Sequence, residues 1–330
     1  MNRLRMNFAC GDYDRVQALK EGRIDVPGID LNLIALPPED IFFRMLKHRE
    51  FEAAEMSLSS YTLSRQAGEP AFVAIPAFVS RTFRHSCVYV NERSGIRKPS
   101  DLRGKKVGCP EYQMTATVWI RGMLSDYYEL PVDSVTYFTG GQEQAGRQEK
   151  IPLNLPDNIS VVPIHQEKTL AQMLLDGEID ALYTARTPST YAGEHGPIRR
   201  LFEDYGREER LYYDRSRIFP IMHTVAMRSD VYRQNRWAAR SLLAALEEAK
   251  QIACDALHEF ATLKVMMPWL GSDLRDTKAR MGADFWPYGV EPNRLVLETF
   301  LRYFHEQGLS AERLGIEDMF APETLDAARI

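Results

Sequence analysis

The chain has 330 residues, of which 45% are hydrophobic and 26% charged, a composition typical of a globular protein. This length predicts about two domains. The formal net charge of −5 excludes the strongly basic character of most nucleic-acid-binding domains, so we expect no nucleic-acid partner.

The sequence predicts neither a signal peptide nor a membrane span. The N-terminal stretch MNRLRMNFACGDYDR has arginines but lacks the following apolar run of about 7–15 residues. No window approaches the ~18 apolar residues of a membrane span. The four cysteines form no CxxC pair, which argues against a disulfide framework or a structural zinc site. We therefore expect a cytoplasmic protein with reduced thiols and no membrane partner.

The N-terminal third alternates between strands and helices. Strands are predicted over Leu4–Ala9, Val26–Leu36 and Phe51–Met56. Helices are predicted over Tyr13–Glu21 and from residue 37 to about 47, where two prolines and two acids suit a first helical turn. This order of elements predicts an open α/β sheet.

The middle of the chain predicts a second α/β unit. The apolar runs Ala71–Val79 and Ser86–Asn91 are typical of strands covered on both faces. The polar stretch GIRKPSDLRGKKVGCP then predicts a crossover into the second unit. The elements predicted there are a strand (Lys106–Cys109), a helix (Thr115–Tyr128), a strand (Ser134–Phe138), a long loop (140–158), a strand (Ser160–Pro163), a helix (Thr169–Leu175) and a strand (Glu178–Ala185).

The C-terminal part is predicted to be mainly helical. After Ile198 the chain is arginine-rich, and we expect it to be irregular until a strand over Phe219–Tyr232. The longest helical pattern, Arg236–Phe260, is rich in Ala and Leu and carries its charges on one face. A further helix is predicted over Leu295–Gln307, closed by Gly308.

Long helices at the end of the chain fit a chain that forms part of lobe 1, then forms lobe 2, and finally returns to complete lobe 1. We predict that lobe 1 comprises residues 1–93 and 216–330, and that lobe 2 comprises residues 94–215.

An internal echo also indicates two similar lobes. MLKHREFEAAEMS (45–57) resembles MLLDGEIDALYTA (173–185), and each reads as a helix end, a turn and a strand; chance similarity of two short stretches is the alternative. Ligands of open α/β sheets bind outside the carboxyl ends of the strands. Residues 57–61 and 184–186 would be two such ends, facing a shared cleft.

Six stretches of the chain together resemble the 4,5-dihydroxyphthalate decarboxylase family. They are EMSLSSY, SRTFRHSCVYVN, GCPEYQMTATVW, FPIMHTVAMRSDVY, FWPYGVEPNR and LETFLRYFHEQGLSAERLGIEDMFAPETLD. The likeness extends from about Leu4 to Asp326, and the family is similar in fold to type II periplasmic solute-binding proteins. It implies an α/β fold of two lobes, each a mixed open sheet flanked by helices, with a ligand cleft between them. It also implies loss of CO2 from a dihydroxylated aromatic dicarboxylate, 4,5-dihydroxyphthalate, to give protocatechuate.

This reaction sets requirements on the site. Direct loss of CO2 would leave an aryl anion whose electron pair lies in the ring plane, where resonance does not stabilise it. Protonation of the carboxylate-bearing carbon, assisted by the hydroxyl para to it, avoids that anion. The site then needs an acid near the ring, an acceptor for the hydroxyl proton and cations for the carboxylate that stays.

Arginines suit the remaining carboxylate because the planar guanidinium meets it with two hydrogen bonds. Arg81 and Arg84 lie close to a predicted strand end, and Arg186 follows the strand of the echo. The alternative is a solvated basic loop.

Hydroxyl and amide side chains are the second set of predicted substrate contacts. They are Ser57, Ser59, Ser60 and Tyr61 after the third strand, and Gln113 and Thr115 before the helix of the second unit. The alternative for both groups is simple helix capping.

Histidine is the expected acid near neutral pH. His223 and His85 lie in or beside apolar strands, where the alternative is a hydrogen-bonded core residue. Glu111 is the candidate acceptor of the hydroxyl proton, unless it is a surface acid. Trp286 could stack on the aromatic substrate or belong to the core.

No HxH, HxxxH or HxxE motif occurs, so we expect no metal and no cofactor. The expected partner is a small aromatic dicarboxylate, and self-association into a homo-oligomer is plausible. Two rival functions use the same fold without catalysis. The protein could bind an aromatic acid as a solute-binding protein, or it could act as a ligand sensor.

Overall fold

The computed structural model describes residues 3–66, 68–193 and 195–325. The end of the last quoted stretch, Asp326, lies outside them. In chain order the strands are β1 (Leu4–Cys10), β2 (Ile29–Ala35), β3 (Ala53–Ser57), β4 (Phe72–Arg81), β5 (Val88–Asn91), β6 (Lys106–Cys109), β7 (Thr136–Thr139), β8 (Val161–Pro163), β9 (Ala181–Tyr183), β10 (Ile198–Arg200) and β11 (Ile221–Arg228).

The α-helices lie between and after these strands. They are α1 (Asp14–Lys20), α2 (Pro38–His48), α3 (Leu58–Ser64), α4 (Thr115–Tyr128), α5 (Leu170–Asp176), α6 (Tyr205–Ser216), α7 (Ser229–Gln234), α8 (Trp237–Ala256), α9 (Leu270–Met281) and α10 (Arg294–Glu306).

The chain divides into two compact units. Unit 1 contains the described residues of 1–80, 223–297 and 315–330, and unit 2 contains residues 81–222 and 298–314. The chain therefore passes from one unit to the other within β4, returns within β11, and passes again within α10.

The sheet of unit 1 has the strand order β2-β1-β3-β11-β4. β1 is parallel to both β2 and β3, whereas β11 is antiparallel to β3. All five residues of β3 are buried, in keeping with its central position in the sheet. Helices α1 and α8 pack against each other, and α8 contributes Ala238, Ala239, Leu242, Ala245, Leu246 and Ala249 to the core.

The sheet of unit 2 has the order β10-β5-β9-β6-β7-β8. β6 is parallel to β7 and β9, β8 is parallel to β7, and β5 is antiparallel to β9 and β10. A hydrophobic cluster that includes Leu170, Leu174 and Leu182 packs α5 on this sheet. Both sheets are therefore mixed and flanked by helices, as predicted.

The internal echo corresponds to equivalent positions in the two sheets. It aligns Ala53 with Ala181, the first residues of β3 and β9. Each of these strands is parallel to one neighbour, β1 or β6, and antiparallel to the other, β11 or β5. The two units thus repeat one strand arrangement around the echoed segment.

The prediction of an irregular stretch before residue 219 was wrong, because residues 205–216 form α6. Only Tyr212 and Ser216 of this helix are buried, so its sequence carries little apolar periodicity. Its start is fixed locally instead, since the carboxylate of Asp204 accepts a hydrogen bond from the backbone N–H of Arg207 (3.1 Å). The strand predicted to reach residue 232 ends at Arg228, where α7 begins.

Candidate functional site

A buried carboxylate and a histidine form a pair at the centre of the unit 1 sheet. The register of β3 and β11 places Val225 opposite Glu55 and His223 opposite Ser57, so Glu55 and His223 are diagonal neighbours on one face. The imidazole Nδ1 of His223 lies 2.5 Å from Oε1 of Glu55. The Glu55 side chain is 0% exposed and that of His223 is 17% exposed. Of the two side chains, only the imidazole is therefore accessible to solvent or to a ligand.

Three further groups donate to the Glu55 carboxylate. The hydroxyl of Tyr13 donates to Oε1 (2.8 Å), the backbone N–H of Gly11 donates to Oε2 (2.7 Å), and the thiol of Cys10 lies 3.6 Å from Oε2. Burial alone would raise the pKa of Glu55, but the His223 imidazole and these donors outweigh it and lower that pKa below its usual value. The carboxylate is therefore ionised, and it is held between the middle of β3 and the carboxyl end of β1.

The same surroundings suppress ionisation of the neighbouring groups. Burial first, and the Glu55 charge second, raise the pKa of the Cys10 thiol and that of the Tyr13 hydroxyl. A glycine is required at position 11, because a Cβ there would come within 2.7 Å of the Tyr13 hydroxyl oxygen. Gly11 thus lets Tyr13 fold back onto the carboxylate.

The pair leaves one ring nitrogen of His223 available. An ionised carboxylate only accepts hydrogen bonds, so Nδ1 carries the hydrogen in the His223–Glu55 bond. Among the described residues, no group hydrogen-bonds to Nε2 of His223. The ring of Phe42 packs edge-on against the imidazole, with 4.9 Å between centroids. This arrangement orients Nε2 and lets it exchange a proton with a ligand.

The hydroxyl cluster after β3 divides between capping and structural roles. Ser57 is the N-cap of α3, and its Oγ accepts a hydrogen bond from the N–H of Ser60 (3.4 Å). The Tyr61 hydroxyl donates to the backbone oxygen of Met319 and accepts from the N–H of Ala74 (3.0 Å). Burial raises the pKa of Tyr61 to about 12. Ser59 and Ser60 are buried beside them. The capping alternative is thus observed for Ser57, and substrate binding by these residues stays a prediction.

An arginine that the sequence analysis did not single out links Trp286 to the pair. The guanidinium carbon of Arg15 lies 4.0 Å from the ring centroid of Tyr13 and 4.6 Å from that of Trp286. Nε of Arg15 donates to the backbone oxygen of Val79 (2.5 Å). The indole N–H of Trp286 donates to the backbone oxygen of Phe78 (2.9 Å). The structure therefore brings Trp286 into the neighbourhood of Tyr13, and through it of Glu55 and His223.

The remaining predicted residues belong to unit 2. Arg81 and Arg84 are buried; Nη1 of Arg81 donates to the backbone oxygen of Phe219 (3.4 Å). Arg84 contacts two sulfur atoms, those of Met222 (3.1 Å) and Cys87 (3.6 Å). Sulfur is a weak acceptor, so the charge of Arg84 is poorly compensated by these contacts.

His85 lies in an aromatic cluster. Its ring makes edge contacts with Tyr128, Phe202 and Tyr212, and its Nε2 lies 3.1 Å from the Tyr128 hydroxyl. Burial lowers the pKa of His85 to about 4. The imidazole is thus neutral at neutral pH, which favours the core alternative over the role of proton donor.

Glu111 forms ion pairs with two cations. The Arg147 guanidinium donates to it from Nε (2.9 Å), and the Lys150 ammonium donates to the same oxygen. The carboxylate is almost wholly buried. Both cations occupy the carboxylate that would accept the hydroxyl proton, so the geometry favours a structural role.

At the start of α4, Gln113 and Thr115 are both buried. Just before this helix, the carboxylate of Glu149 accepts a hydrogen bond from the backbone N–H of Tyr112. Burial raises the pKa of Glu149 to about 7, against the opposing effect of this hydrogen bond. Arg186 is exposed after β9, and its backbone N–H donates to Oγ1 of Thr184 (3.2 Å).

Two kinds of feature are absent from the described part of the chain. Within the described residues, no helix is both long enough and apolar enough to cross a membrane. In the same part of the chain, no group of three or more His, Cys, Asp or Glu side chains is arranged to hold a metal ion.

Known proteins resemble this chain in sequence and in fold. The 4,5-dihydroxyphthalate decarboxylase of Comamonas testosteroni is 38% identical over 330 residues, which is 100% of both chains. The 4,5-dihydroxyphthalate decarboxylase of Pseudomonas putida is 40% identical over 204 residues, 62% of this chain and 79% of that protein. No protein-family model matches the chain.

Among solved structures, the periplasmic aliphatic sulphonate binding protein of Escherichia coli has a TM-score of 0.53 at 15% identity, covering 98% of this chain and 99% of that one. This likeness concerns the fold alone. It confirms the prediction of a periplasmic-binding-protein-like α/β fold.

Proposed function

Since this chain belongs to the 4,5-dihydroxyphthalate decarboxylase family, we propose that it is a carboxy-lyase that converts 4,5-dihydroxyphthalate to protocatechuate and CO2. The proposal rests on the sequence likeness for the substrate. For the chemistry, the observation that carries it is the 2.5 Å pair between buried Glu55 and mostly buried His223.

The proposed reaction consumes one proton and releases one CO2. The hydroxyl para to the departing carboxylate donates electron density into the ring, and the carbon that bears the carboxylate takes up a proton. The bond from that carbon to the carboxylate then breaks, and its electron pair returns to the ring and restores aromaticity. The second carboxylate stays on the product. The protein therefore has to supply one proton at a ring carbon and hold a dianionic substrate.

We assign the proton to Nε2 of His223. The Glu55 carboxylate accepts the hydrogen on Nδ1, which fixes the orientation of the ring and leaves Nε2 to meet the substrate. Tyr13 and Gly11 hold the carboxylate in place through their own hydrogen bonds to it. In this role Glu55 and Tyr13 are positioning residues, and His223 is the group that meets the substrate.

Arg15 and Trp286 suit the recognition of an aromatic acid close to the pair. Nε and Nη1 of Arg15 are engaged by Val79 and Asp14. Among the described residues, none accepts a hydrogen bond from its Nη2, so this nitrogen can meet a substrate carboxylate. The indole face of Trp286 can stack on a planar ring. The contacts predicted for Arg81, Arg84, Gln113, Thr115 and Arg186 remain part of the proposal.

The cellular setting is also a proposal. All four cysteines, Cys10, Cys87, Cys109 and Cys254, are free thiols. Free thiols are typical of a reducing compartment, which supports the cytoplasm as the place where the protein acts.

The test is incubation of the purified protein with 4,5-dihydroxyphthalate, with CO2 and protocatechuate measured together. We expect equal amounts of both products. His223→Gln should lower kcat by at least 100-fold, because general acid catalysis contributes about 10²–10⁴-fold. The matched control is His165→Gln, since the His165 side chain is mostly exposed on a loop; it should keep the wild-type rate.

Two results would contradict the proposal in different ways. Tight binding of the substrate without CO2 release would show that the protein is a binding protein or a sensor and not an enzyme. Normal CO2 release by His223→Gln would leave the activity standing and remove His223 as the acid.

A further inference from the structure

A cavity of about 530 Å³ lies within unit 1, apart from the candidate site. Its walls come from the end of α3, the start of β4, α7 and the chain segment 315–325, called the C-terminal segment below. Pockets that bind small molecules have volumes of about 300–1,000 Å³. Among the described residues that line the cavity, none belongs to the candidate site.

The length of β11 separates the cavity from the candidate site. His223 is the third residue of this strand, and Arg228 is its last. The five steps between them extend over about 17 Å. Helix α7, which contributes Tyr232 and Arg233 to the cavity wall, begins directly after Arg228. A molecule in the cavity would therefore not be the one that meets the imidazole of His223.

Hydrogen bonds hold the walls of the cavity in place. The backbone N–H of Ala321 donates to the backbone oxygen of Ala74 (2.8 Å), which fixes the C-terminal segment along β4. The carboxylate of Glu323 accepts a hydrogen bond from the Tyr232 hydroxyl (2.6 Å) and another from Nε of Arg236. These two bonds join the C-terminal segment to α7 and to the start of α8. The cavity is thus bounded on these sides by elements that are bonded to one another.

Two guanidinium groups of the wall lack a counter-charge. Nη1 of Arg65 makes a long hydrogen bond to the backbone oxygen of Phe72 (3.4 Å), and Nε of Arg65 is buried without an acceptor among the described residues. Within the same part of the chain, the exposed guanidinium of Arg233 has no hydrogen-bond or ion-pair partner. A buried donor without an acceptor destabilises the fold. An anion in the cavity would supply acceptors to both groups.

The other charges of the wall leave an excess of one positive charge. Arg236 is paired with Glu323, and Glu317 is paired with Nη1 of Arg294 (3.3 Å). Asp318 has no side-chain partner in the described part of the chain. One unpaired carboxylate therefore stands against the two unpaired guanidinium groups. A ligand with a single negative charge would balance the cavity.

The remaining wall is apolar. It consists of Val73, Phe320 and Pro322. Phe320 is held by an edge contact with Phe78, with 6.0 Å between ring centroids. This surface suits the ring or hydrocarbon body of an organic acid better than a small inorganic anion.

We propose that the cavity binds a small hydroxylated carboxylic acid. The carboxylate lies between the guanidinium groups of Arg65 and Arg233, because a guanidinium meets a carboxylate with two hydrogen bonds. The hydroxyl donates to Asp318, and the apolar body packs on Phe320. A hydroxyl suits Asp318 because it donates without adding positive charge, so the ligand keeps the single negative charge that the cavity lacks. This inference does not depend on the proposed reaction.

The test is calorimetric titration of the full chain with 4-hydroxybenzoate. We expect a Kd below about 1 mM, in keeping with the small size of this probe. Arg233→Met should weaken binding at the cavity at least tenfold and leave kcat for CO2 release unchanged. The matched control is Arg240→Met, because Arg240 is also exposed but lies on α8 outside the cavity wall; it should bind as the wild type does.

Two further probes test the chemistry of the ligand. 4-Hydroxybenzamide lacks the carboxylate and should bind at least tenfold more weakly than 4-hydroxybenzoate. Benzoate lacks the hydroxyl and should bind at least threefold more weakly. Asp318→Ala should make benzoate and 4-hydroxybenzoate bind equally well, because the acceptor for the hydroxyl is gone.

Three results would overturn the proposal. The first is no binding of 4-hydroxybenzoate to the wild type at 10 mM, which is about ten times the expected Kd. The second is an unchanged titration for Arg233→Met. The third is complete loss of binding in Arg15→Met, which would assign the probe to the candidate site. Equal affinities for 4-hydroxybenzoate and 4-hydroxybenzamide would refute the pairing of a carboxylate with the two guanidinium groups.

Discussion

Replacement of Glu55 by Gln tests the role of the buried carboxylate most directly. The change keeps the shape of the side chain but removes its charge, and an amide N–H₂ can then face Nδ1 of His223 or the Tyr13 hydroxyl. The imidazole would lose the carboxylate that accepts its Nδ1 hydrogen, so this hydrogen would no longer be fixed on Nδ1.

The expected loss follows from the role of the pair. If Glu55 enables proton donation by His223, Glu55→Gln should lower kcat by about 10²–10⁴-fold, or roughly 3–5 kcal/mol of barrier. Stability should change less, because removal of a buried charge also removes its desolvation cost. The loss should appear in kcat rather than in KM, since Glu55 is 0% exposed and does not touch the substrate.

The assay is steady-state release of CO2 across a pH series, with thermal unfolding of each variant measured in parallel. His223→Gln should cost about as much as Glu55→Gln, and the double variant should lose little more, because the two residues act as one unit.

Glu52→Gln is the matched control. Glu52 precedes the same strand, and its carboxylate accepts hydrogen bonds from Asn7 (2.9 Å) rather than from a histidine. It should stay within about twofold of wild-type kcat, or ~0.4 kcal/mol. If Glu55→Gln retains more than a tenth of wild-type kcat, or if the losses in the double variant multiply, the reasoning from the pair is refuted.

Three other changes test separate parts of the structure. Arg81→Ala should weaken binding of phthalate, which lacks the hydroxyls needed for turnover, by at least tenfold or ~1.4 kcal/mol; an unchanged affinity in a calorimetric titration would remove Arg81 from the site. For His85, the folded pKa of about 4 lies below the ordinary 6.5, so the unfolded chain takes up the proton first as the pH falls. Urea unfolding should therefore show that the wild type loses about 2 kcal/mol more than His85→Phe between pH 7 and pH 5, and equal losses would contradict burial as the cause. Tyr61→Phe leaves two buried backbone groups without their hydroxyl partner and should cost about 2–4 kcal/mol, so an unchanged Tm would contradict that role.

The regular elements were largely predictable because they bury continuous apolar surface. β3 and β4 stand out in the sequence as short apolar runs, and α4 matches its predicted bounds, Thr115–Tyr128. By contrast, α6 is built mainly from charged and tyrosine side chains and buries only two residues. Periodicity of apolar residues therefore could not reveal it.

The candidate site was only half predictable. His223 could be found as a lone histidine on an apolar strand, but its partner Glu55 is 168 positions away in the sequence. The signal for Glu55 was present in FEAAEMS, where an acid stands in a strand whose residues are all buried. Acids are almost never fully buried without a partner. The identity of that partner depends on the pairing of β3 with β11, which local sequence does not encode.

The position of β11 between β3 and β4 has a consequence for synthesis of the protein. A ribosome makes β3 and β4 first, then the whole of residues 81–222, and only afterwards the strand that joins them. Until then the edges of β3 and β4 that pair with β11 stay open to other chains. A nascent polypeptide or a truncated product that stops before Ile221 thus lacks a finished first sheet, and Glu55 has no histidine beside it. The sheet of unit 1 is completed, and Glu55 meets His223, in the same step, which comes after residues 81–222 have been synthesised.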